Sequence, residues 1–274
     1  MAVRGAALLG GGELRALRLA WLFFRVGSLN ELQYRANFFI QLLQSAVSVA
    51  TAIVVLKLVY AQTDELNGWS ESELLVVMGI QILLGGVIRT TIQPNMQRLM
   101  EEVRDGKLDF ALTKPEDSQV LVSIRDVQIW RAVDVISGGA VLGYGLSGLD
   151  HAVTAGDGLL FLALLAVGAV TIYCFWLAIA TLAFWIVNVW SIMELFDGVY
   201  QTGRWPVSIY PLWLRLGVTF LIPIAFAITV PAEAATGRLD WQTAALALGF
   251  CAVLFALTRW WWGFGLRRYS GASA

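Results

Sequence analysis

The chain has 274 residues, 58% of them hydrophobic and only 14% charged, with a net charge of −1. Its mean hydropathy is +0.69. Soluble domains carry about 25% charged residues, so the composition excludes a large soluble core and points to a polytopic membrane protein. The Lys and Arg are dispersed, with no basic domain suited to nucleic acid.

In chain order, the first element is amphipathic. Leu14, Leu17, Ala20, Trp21 and Phe24 repeat at helical spacing with Arg15, Arg18 and Arg25 between them. This predicts a helix lying in the membrane interface within residues 1–35, its arginines on anionic lipid head groups. The same arginines interrupt the apolar core that a signal peptide would need. Six apolar runs long enough to span a bilayer follow, near 38–60, 74–92, 128–146, 159–187, 212–230 and 241–264, within a membrane domain over 36–266. The fourth run is still apolar at Ile192. Tilt, an extension beyond the membrane, or a break near Asn188 each accounts for the excess. The predicted fold is an all-α integral membrane protein of six transmembrane helices preceded by the interfacial helix.

Alternating connections place the N-terminus, 93–127, 193–211 and the tail 267–274 on one side. That side holds Arg98, Arg104, Lys107, Lys114, Arg125, Arg204, Arg267 and Arg268. The opposite loops are acidic, with Asp64, Glu65, Glu71, Glu73, Asp150, Asp157, Glu233 and Asp240 against Arg238. The positive-inside rule then makes both termini cytoplasmic. Lys57, near the outer end of the first span, is expected to snorkel outward.

Gly145–Gly148 reads GLSG and is similar to the Gly-x-Ser-Gly nucleophile motif of rhomboid intramembrane proteases. That family takes its histidine from a later span, and the single histidine here, His151, is four residues beyond Ser147, so a helix end is the favoured reading. The DGKL around Lys107 lacks both the upstream glycine and the Ser or Thr of a phosphate loop. Cys174 and Cys251 lie in apolar runs and read as small buried hydrophobes, with no metal-ligand cluster. Gly139-x-x-x-Gly143 and Gly85-Gly86 predict close helix packing. Arg131 and Asp134, three apart, are placed to pair. With Arg89, Glu194 and Asp197 they form a set of ionisable groups serving either intramembrane pairing or a substrate path.

Between the second and third runs, Met96, Leu99, Met100 and Val103 follow a helical spacing that Gly106 closes, and Lys114-Pro115 makes a turn. A short amphipathic helix with one apolar face invites a partner's groove; the other reading is a connector resting on the membrane.

Three stretches carry a family resemblance: Glu31–Ser45, Val103–Ser123 and Arg204–Leu239. Over essentially its full length the chain resembles permease subunits of type-2 (ABC-2) ATP-binding cassette exporters, in the six-span branch that often pairs two related permeases with a separate ATPase. The resemblance implies a coupling helix in 93–127 docked on an ATP-binding subunit, present in two copies, which binds ATP and Mg and does the hydrolysis, so that this chain has no cofactor and no catalytic residue. It implies a second permease, identical or related, and a cell membrane location, the bacterial inner membrane. Carried onto this sequence, the docking element is Met96 to Lys107, with Leu99, Met100 and Val103 on its apolar face and Glu101, Glu102 and Arg104 as polar contacts. Asp109, Lys114 and Pro115 hold the following turn. A secondary transporter would need coupling-ion residues or inverted repeats, and neither is seen. A structural or signalling membrane protein would not need a docking segment. Apolar spans favour a lipophilic or amphipathic cargo.

Overall fold

The computed structural model describes residues 35–149, 154–186 and 189–269, whose regular elements are helical. The expected interfacial helix, His151 and Asn188 lie outside the described residues. Helix α1 is Arg35–Tyr60. A tight turn follows, in which Asn67 and Gly68 take positive φ (53° and 80°) and Leu66 and Trp69 bond each other's backbones. Ser70 then opens α2 (Glu71–Val87) with a capping box: its hydroxyl accepts from Glu73 N, and the Glu73 carboxylate accepts from Ser70 N. Lys57 pairs with Glu71 across this turn, at 3.4 Å.

Helix α2 does not stop at the end of its apolar run. It passes through a π-helical turn (Ile88–Ile92) into α3 (Gln93–Arg104), making one helix of 34 residues. Pro94 has no N–H to donate. The wide turn just before it, where Gln93 N donates to Ile88 O, absorbs the shift in register. The separate amphipathic helix expected over Met96–Lys107 is thus the end of the second apolar helix. Gly106, at φ 68°, closes it: Lys107 N donates to Glu102 O and Gly106 N to Val103 O. Two short helices follow, α4 (Asp109–Leu112) and α5 (Ser118–Ser123).

Helix α6 (Ala132–Ser147) has 16 residues, preceded by a 3-10 turn over Ile129–Arg131. It packs along α2 through four glycines. A Cβ on Gly79 would sit 2.5 Å from Leu142 N, one on Gly86 2.6 Å from Val135 N, and one on Gly145 2.8 Å from Val76 N; one on Gly138 would overlap the Leu83 backbone. The two glycines of each helix are seven residues apart, which keeps both on one seam. This corrects the expected Gly139-x-x-x-Gly143 contact: both face open space. Gly85, unlike Gly86, meets Tyr200 rather than α6. The GLSG stretch is a helix end, with Gly145 buried and the Ser147 hydroxyl donating to Tyr144 O.

Helix α7 (Ala155–Thr181) runs on through a 3-10 turn, Leu182–Phe184, and packs against the last helix, α11 (Trp241–Leu266). Between them the chain departs from the sequence reading. The sequence predicts that 193–211 stays on one side and that 212–230 spans. Instead α8 (Trp190–Tyr200) runs antiparallel to the long helix. Gln93 donates to Asp197 (3.4 Å), the Tyr200 hydroxyl donates to Gln81 O (2.8 Å), and the Ser208 carbonyl and hydroxyl accept from Asn67 Nδ2 (2.9 Å) and Trp69 Nε1 (3.2 Å). Residues 190–208 therefore traverse the bundle to the end that carries the 61–70 turn, and Arg204 goes with them.

The segment that follows is two helical arms, Leu212–Leu221 and Ala225–Ala235, bent by 80°. The first includes α9 (Leu212–Leu216), the second α10 (Val230–Ala235). Pro223 causes the break, since the residue before a proline avoids the helical region and Ile222 is extended (φ −121°, ψ 99°). Both ends of the pair return to the 61–70 turn. Arg215 donates to Ser208 O, while Arg238 clasps Glu73 (2.5 and 2.7 Å) and Gly68 O. The pair is a re-entrant hairpin rather than a fifth span.

Four described helices are long and apolar enough to cross a bilayer: Phe38–Tyr60, Glu71–Arg104, Gly156–Phe184 and Trp241–Leu266. The first and last meet the 105–130 segment at one end of the bundle, where Phe38 lies 5.6 Å from Trp130 and the Tyr269 hydroxyl accepts from Leu108 N. A labelling experiment checks this path. In a background without Cys174 and Cys251, cysteines at Ser208 and Gln62 should react with an impermeant thiol reagent from the same side, and one at Lys114 from the opposite side. Labelling of the Ser208 position together with Lys114 would restore the original fifth span.

Candidate functional site

Two groups of the singled-out residues gather at the end of the bundle away from the 61–70 turn. The first is the charged connection after α3. Met96 and Leu99 are fully buried and Met100 nearly so, packed with α7 and the Leu182–Phe184 turn; Val103 is half-buried. The apolar face read as an offer to a partner is occupied by the chain's own core. Glu102, expected as an outward contact, is gripped by both terminal nitrogens of Arg125 (3.1 and 2.6 Å) and by Arg98 (3.0 Å). Asn95 ties the returning strand to α3, accepting from Arg125 N and Asp126 N and donating to Thr91 O and Asp126 O.

Outward-facing residues remain beyond this point. Glu101, Arg104, Lys107, Lys114 and Pro115 are exposed and Asp109 is half-exposed. Asp105 takes both Arg104 (3.2 Å) and Lys107 (3.0 Å). Phe110, not singled out in the sequence, is 77% exposed at the tip. The connection is braced from behind. Asp117 caps α5 by accepting from Gln119 N and Val120 N, and pairs with Arg259 of α11, whose guanidinium holds the Asp117 carboxyl below the usual carboxylate range. Trp262 Nε1 donates to the Ser118 hydroxyl, and Leu108 N to the Tyr269 hydroxyl. Asp117 just ahead of the apolar SQVLVS run carries the signature of a helix start; its partner Arg259, 142 residues on, has no local signal. An exposed aromatic ring among charges on a braced loop suits a protein contact.

The second group surrounds a polar cavity of about 110 Å³. Asp134, almost wholly buried, lies 3.2 Å from Arg89 Nε. Arg131 does not pair with Asp134 as its spacing suggested; its Nε donates to the Gln128 side chain (2.7 Å). The reason is local: Arg131 belongs to the 3-10 turn before α6, so the two residues do not share a helical face. Gln41, Gln44, Ser45 and Ser48 of α1 complete the wall, and Ser45 bonds Ser137 of α6 (3.0 Å). Asp197 lies within electrostatic reach of Arg89 and Arg131 and is held by Gln93, whereas Glu194 is exposed on α8. The four α1 residues stand at i, i+3, i+4 and i+7, a polar stripe visible in the sequence and missed there among apolar neighbours.

Among comparisons with known proteins, one family model, described as ABC-2 family transporter protein, matches residues 46–273. No curated protein and no solved structure matches the chain. The match takes in the long helix, the braced connection, the re-entrant hairpin and the last span. On that coverage the chain belongs to the ABC-2 family of transporter permeases.

Proposed function

We propose that the chain is the membrane permease of an ATP-driven exporter, forming the substrate path while a separate ATP-binding subunit, in two copies, performs hydrolysis with ATP and Mg. A second permease, identical or related, completes the path, in a cell membrane such as the bacterial inner membrane. The observation that carries the reading is Phe110. A large apolar side chain stands in the open on a charged loop braced by α11, directly beyond the end of the 34-residue helix. With Met96, Leu99 and Met100 turned inward, the docking surface shifts to Glu101, Arg104, Lys107, Phe110, Lys114 and Pro115. Asp109 belongs to the single turn that carries Phe110. A force applied there reaches the long helix across only the tight Gly106 turn, and through α3 the membrane helices.

Phe110→Ala removes the expected aromatic anchor, and central anchors are worth about 2 kcal/mol or more at interfaces. Co-purification with the ATPase should therefore weaken roughly 30-fold, with melting of the permease itself unchanged because the ring is exposed. An ATPase that binds the Phe110→Ala permease at full strength would remove this docking surface.

A further inference from the structure

The polar stripe on α1 is otherwise unexplained. Polar side chains are costly at membrane depth and mark bundle interiors or pathways. Here Gln41, Gln44, Ser45 and Ser48 turn toward Arg89, Arg131 and Asp134. Among the described residues the wall has two guanidiniums and one carboxylate, Asp134, while Asp197 lies outside it on Gln93, within electrostatic reach of both arginines. Donors are in excess. Arg89 Nε is buried with no hydrogen bond beyond its 3.2 Å ion pair to Asp134, and Arg131 lines the same cavity while donating its Nε to the Gln128 side chain. A guanidinium fork suits the bidentate geometry of a carboxylate or phosphate. Beside the stripe, α1 exposes Phe39, Ile40, Leu42, Leu43 and Val47.

From this juxtaposition we infer that the cavity holds the oxyanion head, phosphate or carboxylate, of an amphipathic molecule whose apolar chain lies along α1. Arg131 supplies the principal contact and the two glutamines the neutral donors. As the substrate class, this rests on the permease reading above; as a binding site, it does not.

The test uses the full chain in nanodiscs of zwitterionic lipid, with dodecyl phosphate, dodecanoate, dodecyltrimethylammonium and inorganic phosphate as probes. Dodecyl phosphate and dodecanoate should bind, and the trimethylammonium amphiphile should not. Arg131→Gln should weaken dodecyl phosphate at least tenfold, and the double change Gln41→Leu with Gln44→Leu should weaken it comparably, both without a change in melting. Competition by millimolar inorganic phosphate would assign the site to a free anion, and its absence to a lipid-like head. Equal binding of the cationic amphiphile, or undiminished binding after Arg131→Gln, overturns the inference. Because binding is read on the permease alone, loss of ATPase docking with normal binding would count against the permease reading only.

Discussion

Gly138→Val should unfold the bundle at temperatures where the native chain is intact, while the same change at Gly139 or Gly143 should leave melting nearly unaltered. A Cβ at position 138 would meet the Leu83 backbone, and no rotamer change can move a backbone out of the way. Overpacking a tight core costs about 1–3 kcal/mol when side chains can yield. Where backbones meet, the cost is about 3 kcal/mol or more, a large part of the 5–15 kcal/mol that separates a typical native state from its unfolded chain. Gly139 and Gly143 have nothing within contact distance of a new Cβ. Alanine at either should even stabilise by up to about 1 kcal/mol through helix propensity. Melting of the solubilised protein followed by size-exclusion fluorescence distinguishes the positions. Equal losses at 138 and 139 would show the seam to be misplaced.

Glu102→Met is the second large effect, expected to destabilise by about 3–5 kcal/mol. Arg125 has 7% of its side-chain surface exposed, and the carboxylate of Glu102 takes both of its terminal nitrogens. Removing the acid leaves a buried guanidinium uncompensated. Replacing both residues with methionine should recover most of the loss, because desolvation of the pair cancels much of its attraction. Arg98→Ala, by contrast, removes only an exposed i,i+4 contact and should cost about 0.3–0.5 kcal/mol. A double-mutant cycle on melting reads the coupling. Additive losses for the 102 and 125 changes would mean that the pair is not buried as a unit.

What the sequence disclosed depended on the range of the signal. The apolar runs of α1, α2, α7 and α11 announce themselves, since helical length and bilayer thickness are both local constraints. Close packing through glycine was legible as a type of contact. Its register was not, because neighbouring residues on a helix point about 100° apart and only α2's own glycines choose between Gly138 and Gly139. The amphipathic spacing of Met96, Leu99 and Met100 marks an apolar face and suggests a partner's groove, yet periodicity does not say whose surface covers it, and the chain's own core does. The break at Ile222-Pro223 was readable from the proline. The direction of the second arm was not, because it is fixed by Arg238 on Glu73, 165 residues apart. Three of the cavity residues, Arg89, Arg131 and Asp134, attract notice by charge; the other four are glutamines and serines, which in an apolar run are easily counted as neutral filling.

The unbroken helix Glu71–Arg104 has a mechanical consequence. At 1.5 Å per residue its 34 residues make a rod about 50 Å long. Such a rod turns small angles into usable distances: a tilt of about 5° about one end carries the other roughly 4 Å sideways, by the length just given. The lower arm is clamped by Glu102 to Arg125, and the upper tip by Glu73 to Arg238, next to the re-entrant hairpin. Only the π turn and Pro94 interrupt its stiffness, and they sit beside Arg89. The chain thus holds a lever with a compliant joint at the rim of its polar cavity, where bending would change the spacing between Arg89 and the α1 stripe before the far tip moves.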